Sequence, residues 1–243
     1  MRVLIADIAA GSLAPGDKLP READLAAQFS VSRGVAREAI RGLEERGLVD
    51  VKHGRGATVN PEQRWDVFDP DILAALLDSD QGAAILTEYL ECRRILEIEA
   101  VGLAAERATE EDLATLSDAF ARMTTSAERA KGNPAAEDLY HEADIAFHRA
   151  VISATGNRAL GNMTDPIHRA LGAARRPLAR PEHRIDRSLP EHRRILSAIA
   201  GADAREARAA MRDHLATVEG YLREYTDEAA GSGPEASGRH AGG

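Results

Sequence analysis

Along the first sixty positions the apolar residues recur at helical spacing and then alternate, which marks out a small mixed unit. Val3, Leu4, Ile5 and Ile8 predict a short amphipathic helix over residues 2–10, ended by Gly11. Residues 21–29 predict a second helix with Leu25, Ala26 and Phe29 turned inward. Ser32 suits the N-cap of a third, because its hydroxyl can satisfy an amide that a helix start leaves unpaired. Val35, Ala36, Ala39, Ile40 and Leu43 then make one apolar stripe at three- and four-residue steps. Arg33, Arg37 and Arg41 recur on another side as a row of guanidinium groups. Ser30-Val31 leaves the tight turn of a helix-turn-helix between the two. Past Gly47, residues 48–52 and 57–59 read as strands joined by the glycine-flanked tip His53-Gly54-Arg55-Gly56. The sum is a winged helix-turn-helix, whose second helix would place its N-terminal end in a DNA major groove.

Asn60-Pro61 breaks this pattern and opens a linker over residues 61–75, where Trp65 and Phe68 are expected to seat the chain. Asp69 is a cap candidate with Pro70 at the first helical position. From Ile72 onward every segment has a helical period: 85–107, 109–130, 136–154, 158–176, 189–200 and 204–225. Thr109-Glu110-Glu111-Asp112 reads as a capping box, Gly132-Asn133-Pro134 as a break, and 177–181 as a loop. The fold class is therefore mainly α. Residues 1–60 form the winged unit, 61–75 the linker, 76–228 an all-helical bundle of six or seven helices, and 229–243 a disordered tail.

Composition changes the picture in three places. A net charge of −9 over 243 residues argues against a protein that coats nucleic acid nonspecifically. The winged unit is nonetheless the least acidic part, with nine Lys/Arg against eight Asp/Glu, where the remainder holds 22 against 32. A single cysteine, Cys92, excludes an intrachain disulfide, fits a reducing cytoplasm and is expected as a small core residue. No apolar run approaches the ~20 residues of a membrane span, so the expectation is a cytoplasmic chain with no membrane partner.

Chemistry concentrates in the predicted bundle. Asp144 and His148 lie four apart on one helix and share a face, while His192 and His214 sit on the last two helices. If those helices are neighbours, one carboxylate and three imidazoles converge, a set suited to Zn²⁺, Ni²⁺, Mn²⁺ or Fe²⁺. His141 could compete for a place. An isolated Asp/His pair at this spacing is more often a surface hydrogen bond, so spacing alone does not carry a metal.

A resemblance adds to this reading. Leu19-Pro20, Leu25-Ala26, Val31-Ser32-Arg33, Arg37-Glu38-Ala39, Leu43, Gly47-Leu48 and Gly54-Arg55-Gly56 resemble the signature of GntR-family bacterial transcription regulators. The resemblance implies DNA contacts from Arg21, Ser32, Arg33, Gly34 and Arg37, and from the wing residues His53, Gly54 and Arg55. It departs in one place: an arginine sits before Glu22, and none follows it. Asp144 to His148, Thr155-Gly156-Asn157, Glu191-His192 and Met211 to His214 are similar to the FCD effector domain of the FadR-like branch, over about residues 70–226. That likeness implies a divalent metal on Asp144, His148, His192 and His214, with Arg93 and Asn157 toward the effector. Without it, Arg93 reads as an ion pair with Glu97, and Asn157 as a helix C-cap. The linker 65–73 is similar to that of FCD regulators of sugar-acid catabolism. The expectation is a ligand-responsive repressor, not an enzyme. As a homodimer it would read a palindromic DNA operator and release it for a small carboxylate such as a sugar acid. The rivals are a metal-dependent hydrolase using the Asp/His₃ set, and a DNA-binding dimer without an effector.

Overall fold

The structure is a computed structural model that describes residues 1–52, 55–130, 133–173 and 182–231. Three short helices open the chain: α1 (Arg2–Ala9), α2 (Glu22–Gln28) and α3 (Arg33–Glu45). The strands β1 (Val49–Lys52) and β2 (Gly56–Val59) pair antiparallel, with Val49 opposite Val59 and Lys52 opposite Gly56. Leu4, Ile5, Ile8, Leu25, Ala26, Ala36, Ile40, Leu43 and the strand residues Val49, Ala57 and Val59 form one core. The expected stripes are thus largely observed, with two corrections. Phe29 and Val35 lie at the surface, 36% and 54% exposed. Both flank the turn between the helices, Phe29 at the C-cap of α2 and Val35 in the first turn of α3.

Two backbone devices set the angles of this unit. Ser32 caps α3 as expected, its Oγ accepting from the Val35 amide at 3.2 Å. At the other end, Gly47 at φ +72° closes α3 with paired bonds from Gly47 N to Glu44 O and from Leu48 N to Leu43 O. A Cβ on Gly47 would lie 2.0 Å from the Arg64 carbonyl oxygen, so only glycine lets the linker pass this close.

The linker is packed, not slack. Trp65 is buried and its indole N–H donates to the Asn60 carbonyl at 3.0 Å, while Asn60 Nδ2 donates to Gly47 O at 2.8 Å. Asp69 caps α4 (Pro70–Leu77) through the amides of Asp71 and Ile72, and its second oxygen accepts from Arg46 at 2.9 Å. Ile72 and Leu76 of α4 join the core of the winged unit. Phe68 is exposed, with its ring edge-on to Tyr89 at 5.9 Å.

The bundle consists of α5 (Gly82–Arg107), α6 (Glu110–Ala130), α7 (Pro134–Ala154), α8 (Arg158–Ala173), α9 (Glu182–Ala200) and α10 (Ala204–Gly231). The Thr109/Asp112 box starts α6 as expected. Val101, Leu116, Met123, Tyr140, Phe147, Val151, Ile195 and Met211 fill the centre. Three expectations are corrected here. The penultimate helix begins at Glu182, before Leu189, and carries Pro190 in its interior at the loss of one helical bond. The last helix runs to Gly231, past the expected end at Tyr225 and into the expected tail from Ala229, because Glu228-Ala229-Ala230 are good helix formers. Cys92 is exposed on α5 and not in the core. The expected loop at 177–181 and the tail after Gly231 lie outside the described residues.

Gly47→Ala is expected to destabilise the winged unit by about 2 kcal/mol or more, since it meets both a positive φ and a backbone oxygen. Chemical denaturation followed by circular dichroism checks it, and an unchanged midpoint would contradict the close linker approach.

Candidate functional site

The four residues singled out by spacing do meet. Asp144 and His148 project from α7, His192 from α9 and His214 from α10, and one ligand atom from each lies within 4.8 Å of all the others. His192 Nε2 is 3.1 Å from Asp144 Oδ1 and 3.2 Å from His148 Nε2. The three histidines are buried, and the Asp144 side chain is 13% exposed. Phe147 backs the cluster with its ring edge-on to His192 at 5.0 Å.

The outer nitrogens explain what the inner ones are for. His192 Nδ1 lies 2.8 Å from the Ser188 carbonyl, which can only accept, so Nδ1 carries the proton. His214 Nδ1 sits 2.9 Å from Glu191 Oε2, and Glu191 is held in turn by the Thr217 hydroxyl at 2.7 Å. His148 Nδ1 is 2.6 Å from Glu97 Oε2, although this contact is off the line of a straight hydrogen bond. Each imidazole therefore turns an Nε2 lone pair toward one point, the outer-sphere arrangement of metal-ligating histidines. Two such lone pairs 3.2 Å apart repel, and His214 Nε2 is buried with no hydrogen-bond partner. A shared proton would relieve this, but burial and the Arg93 charge push His148 down to about 3. Burial, then His192, likewise holds His214 well below its ordinary value. A cation satisfies all four donors at once. Three imidazoles and a carboxylate fit a borderline divalent ion, and an ion that takes five or six ligands would keep a position for one more.

Arg93 and Glu97 form the second layer. Both are buried on α5, with Arg93 Nε 2.7 Å from Glu97 Oε1. His168 of α8 adds its Nε2 at 2.8 Å from the same oxygen. Burial works to raise the Glu97 carboxyl, yet Arg93 and then His148 and His168 hold it well below the usual range. Asp144 behaves alike, burial being outweighed by its bond to His192 and by the charges of His192, His148 and Arg93. The ion pair of Arg93 with Glu97 is read from the sequence and observed, but the contacts of Glu97 with His148 and His168, and the roles of Glu191 and Ser188, are not legible there. The place of Glu97 had a signal: Arg93 and Glu97 interrupt the three- and four-residue steps Leu86, Leu90, Arg93, Glu97, Val101, whose other members are apolar. Asn157 does not join the cluster. It is exposed and, in place of the expected C-cap, is the N-cap of α8, Oδ1 accepting from Ala159 N at 3.1 Å because the next helix starts at Arg158 directly after it.

On the winged unit, Arg21, Ser32, Arg33, Gly34, Arg37 and Arg55 are all exposed. The oxygen of Ser32 is taken up by its capping bond. Arg37 is held by Glu22 through Nε at 3.1 Å and Nη2 at 3.0 Å. Arg41 pairs with Glu45 at 3.5 Å. His53 and Gly54 lie outside the described residues. Among the described residues no helix is long and apolar enough to cross a membrane.

Residues 2–59 match the family described as bacterial regulatory proteins, gntR family, and residues 88–217 match the FCD domain. The chain is 31% identical over 217 residues to the galactonate operon transcriptional repressor of Escherichia coli, covering 89% of this chain and 92% of that one. It is 34% identical over 223 residues to the HTH-type transcriptional regulator LutR of Bacillus subtilis, covering 90% and 97%. The Uxu operon transcriptional regulator of Escherichia coli is 31% identical over 229 residues, covering 88% and 81%. A solved structure of Lar from Listeria monocytogenes shares the fold, with a TM-score of 0.64 at 20% identity, over 91% of this chain and 94% of that one. The relatives are named as transcription regulators and not as enzymes.

Two outcomes follow from the geometry. Glu97→Gln should lower the affinity for Zn²⁺ or Ni²⁺ by about 10- to 100-fold, measured by competition with a chelating dye, because His148 loses its orienting charge. The second concerns acid. His148 folds neutral, with its pKa at about 3 against an ordinary 6.5. Its contribution to the metal-free protein is thus complete above pH ~6.5 and declines as the pH falls toward ~3. Glu97 and Asp144, both held low, decline in the same direction through the carboxylate range. Thermal melts of chelator-treated protein should fall steadily on acidification, and a melt flat from pH 7 to pH 4.5 would contradict the buried neutral histidine.

Proposed function

Because this chain belongs to the GntR family of bacterial regulatory proteins and carries an FCD domain, we propose that it is a repressor released by a small carboxylate, a sugar acid in particular. The observation that carries this reading is the convergence of three Nε2 lone pairs and Asp144 beside the buried Arg93. Asp144, His148, His192 and His214 would hold a divalent ion, which supplies a Lewis-acidic anchor for an anionic oxygen. Arg93 supplies the second anchor: Nε is committed to Glu97, and its terminal nitrogens can fork onto a carboxylate. The sugar-acid class is supported by the 31% identity to a galactonate operon repressor over most of both chains.

The site donors come from α7, α9 and α10, while Arg93 lies on α5, so a ligand spanning both anchors would change how α5 sits on the bundle. One turn before Arg93, the Tyr89 hydroxyl donates to the Val67 carbonyl in the linker. A shift of α5 thereby reaches the winged unit. In a homodimer, two such units would read a palindromic operator, and a change in their spacing would lower affinity.

The test is DNA release. Duplex DNA recovered by the protein from a random-sequence pool serves as operator, and galactonate, gluconate and galacturonate are added to metal-loaded protein. At least one acid should weaken binding by about five- to hundredfold, the range expected of such coupling. His192→Ala should abolish the response together with metal binding. Arg93→Lys, which keeps the charge beside Glu97, should retain metal and DNA while losing most of the response. Release by neutral sugars alone would overturn the carboxylate class. A monomer in sedimentation at micromolar concentration would overturn the two-headed operator.

A further inference from the structure

Arg37 is the one arginine on the exposed face of α3 whose guanidinium is clamped by another helix of the winged unit among the described residues. Glu22 is the first residue of α2, and its carboxylate takes the side edge of that guanidinium. Arg37 Nε lies 3.1 Å from both carboxylate oxygens, and Nη2 lies 3.0 Å from Oε2. Leu25 and Ala26 of α2 share a core with Ala36 and Ile40 of α3, so the two partners stand on a fixed helix pair. Both stay accessible, at 67% exposure for the Arg37 side chain and 39% for Glu22.

A guanidinium has two hydrogen-bonding edges, and only one is used here. With Nε and the near side of Nη2 given to Glu22, the outer edge keeps a proton on each terminal nitrogen, pointing away from α2. That end-on pair matches the O6 and N7 acceptors of guanine. The clamp also changes what Arg37 is suited for. An arginine whose charge is countered by an adjacent carboxylate releases few counterions on meeting a phosphate, so it makes a poor backbone anchor. Holding the side chain in one rotamer instead removes the entropy cost that an exposed arginine bears on ordering. Arg33, four residues earlier, is close enough for its charge to act on the same carboxylate. Glu22 therefore holds Arg37 and lies within the field of Arg33, the arginines of the first two turns, where helix side chains reach base edges.

We propose that Glu22 is a positioning residue for sequence reading, which presets Arg37 to fork end-on onto one guanine of the operator. This rests on the docking of α3 into the major groove. Glu22 acts through Arg37 and sets discrimination at one base pair, not overall affinity.

Full-length wild type, Glu22→Gln, Glu22→Ala, Arg37→Ala and the Glu22→Ala/Arg37→Ala double variant are each offered a pool of random-sequence duplex DNA. The recovered wild-type duplex and its single-base-pair changes are then titrated at two salt concentrations. Arg37→Ala should lose preference at one guanine by about tenfold or more. Both Glu22 variants should lose preference at that same position, leaving the others unchanged. In Glu22→Ala the freed Arg37 should steepen the salt dependence by about one phosphate contact. The double variant should match Arg37→Ala at that position. Equal thermal melts establish that Glu22, a partly exposed residue, acts on reading and not on folding. If Arg37→Ala flattens one position and neither Glu22 variant does, the positioning role is wrong while the docking stands. If Arg37→Ala changes no position, the docking of α3 is wrong and the proposal falls with it.

Discussion

The bundle depends on a charge that folding has removed from water. Glu97 is 1% exposed and faces Arg93, His148 and His168 from three different helices. A lone buried carboxylate would be costly, and it stays ionised only because these groups surround it. The same requirement orients the rest. Arg93 is drawn into the core by Glu97, His148 is turned so that Nε2 faces His192, and α8 is pinned through His168. Such a node adds little to net stability beside an apolar replacement, yet removal of any one member leaves a charge unanswered. It is better understood as the device that gives the metal-ligand set its direction.

From that node the connection to the DNA-reading unit is short. Tyr89, Arg93 and Glu97 follow one another at four-residue steps along α5. Tyr89 bonds the linker carbonyl of Val67 at one end of this stripe, and Glu97 meets His148 at the other. The linker itself is tied back to α3 through Asn60, Arg46 and Asp69. A helix is stiff over two turns, so the site and the winged unit share a single rigid element. Leu73 of α4 packs with Leu86 and Leu90 of α5, which closes the same joint on its apolar side. Short loops would have decoupled these units, and none intervenes between Val67 and Glu97 except the turn at residues 78–81.

Local chemistry made much of the chain legible. Ser32, Asp69 and the Thr109/Asp112 pair cap their helices where expected, because a cap depends only on residues two or three positions away. Gly47 and the strand pairing of the wing follow for the same reason. Burial was less legible. Phe29, Val35 and Cys92 obey the helical period of buried residues but sit outside, since no neighbouring element covers those faces. The helix expected over 189–200 starts instead at Glu182 and carries Pro190 inside it, one bond being a small loss within a 19-residue helix.

The site divides along the same line. Asp144 and His148 share a helix face by the arithmetic of 3.6 residues per turn, and sequence alone determines that. His192 and His214 are partners by sequence only if the last two helices are neighbours, and the family resemblance, residue by residue, is what joins all four as a ligand set. What no local rule contains is which way each imidazole points. That is decided by the Ser188 carbonyl, Glu191 and Glu97, which reach their histidines from four residues away on the same helix, from a neighbouring helix and from 51 positions earlier in the chain. Likewise, the row Arg33, Arg37 and Arg41 is plain in the sequence, but the difference among its members is not. Only the packing of α2 on α3 brings Glu22 to Arg37, because two residues fifteen apart meet through the angle between two helices and not through their spacing.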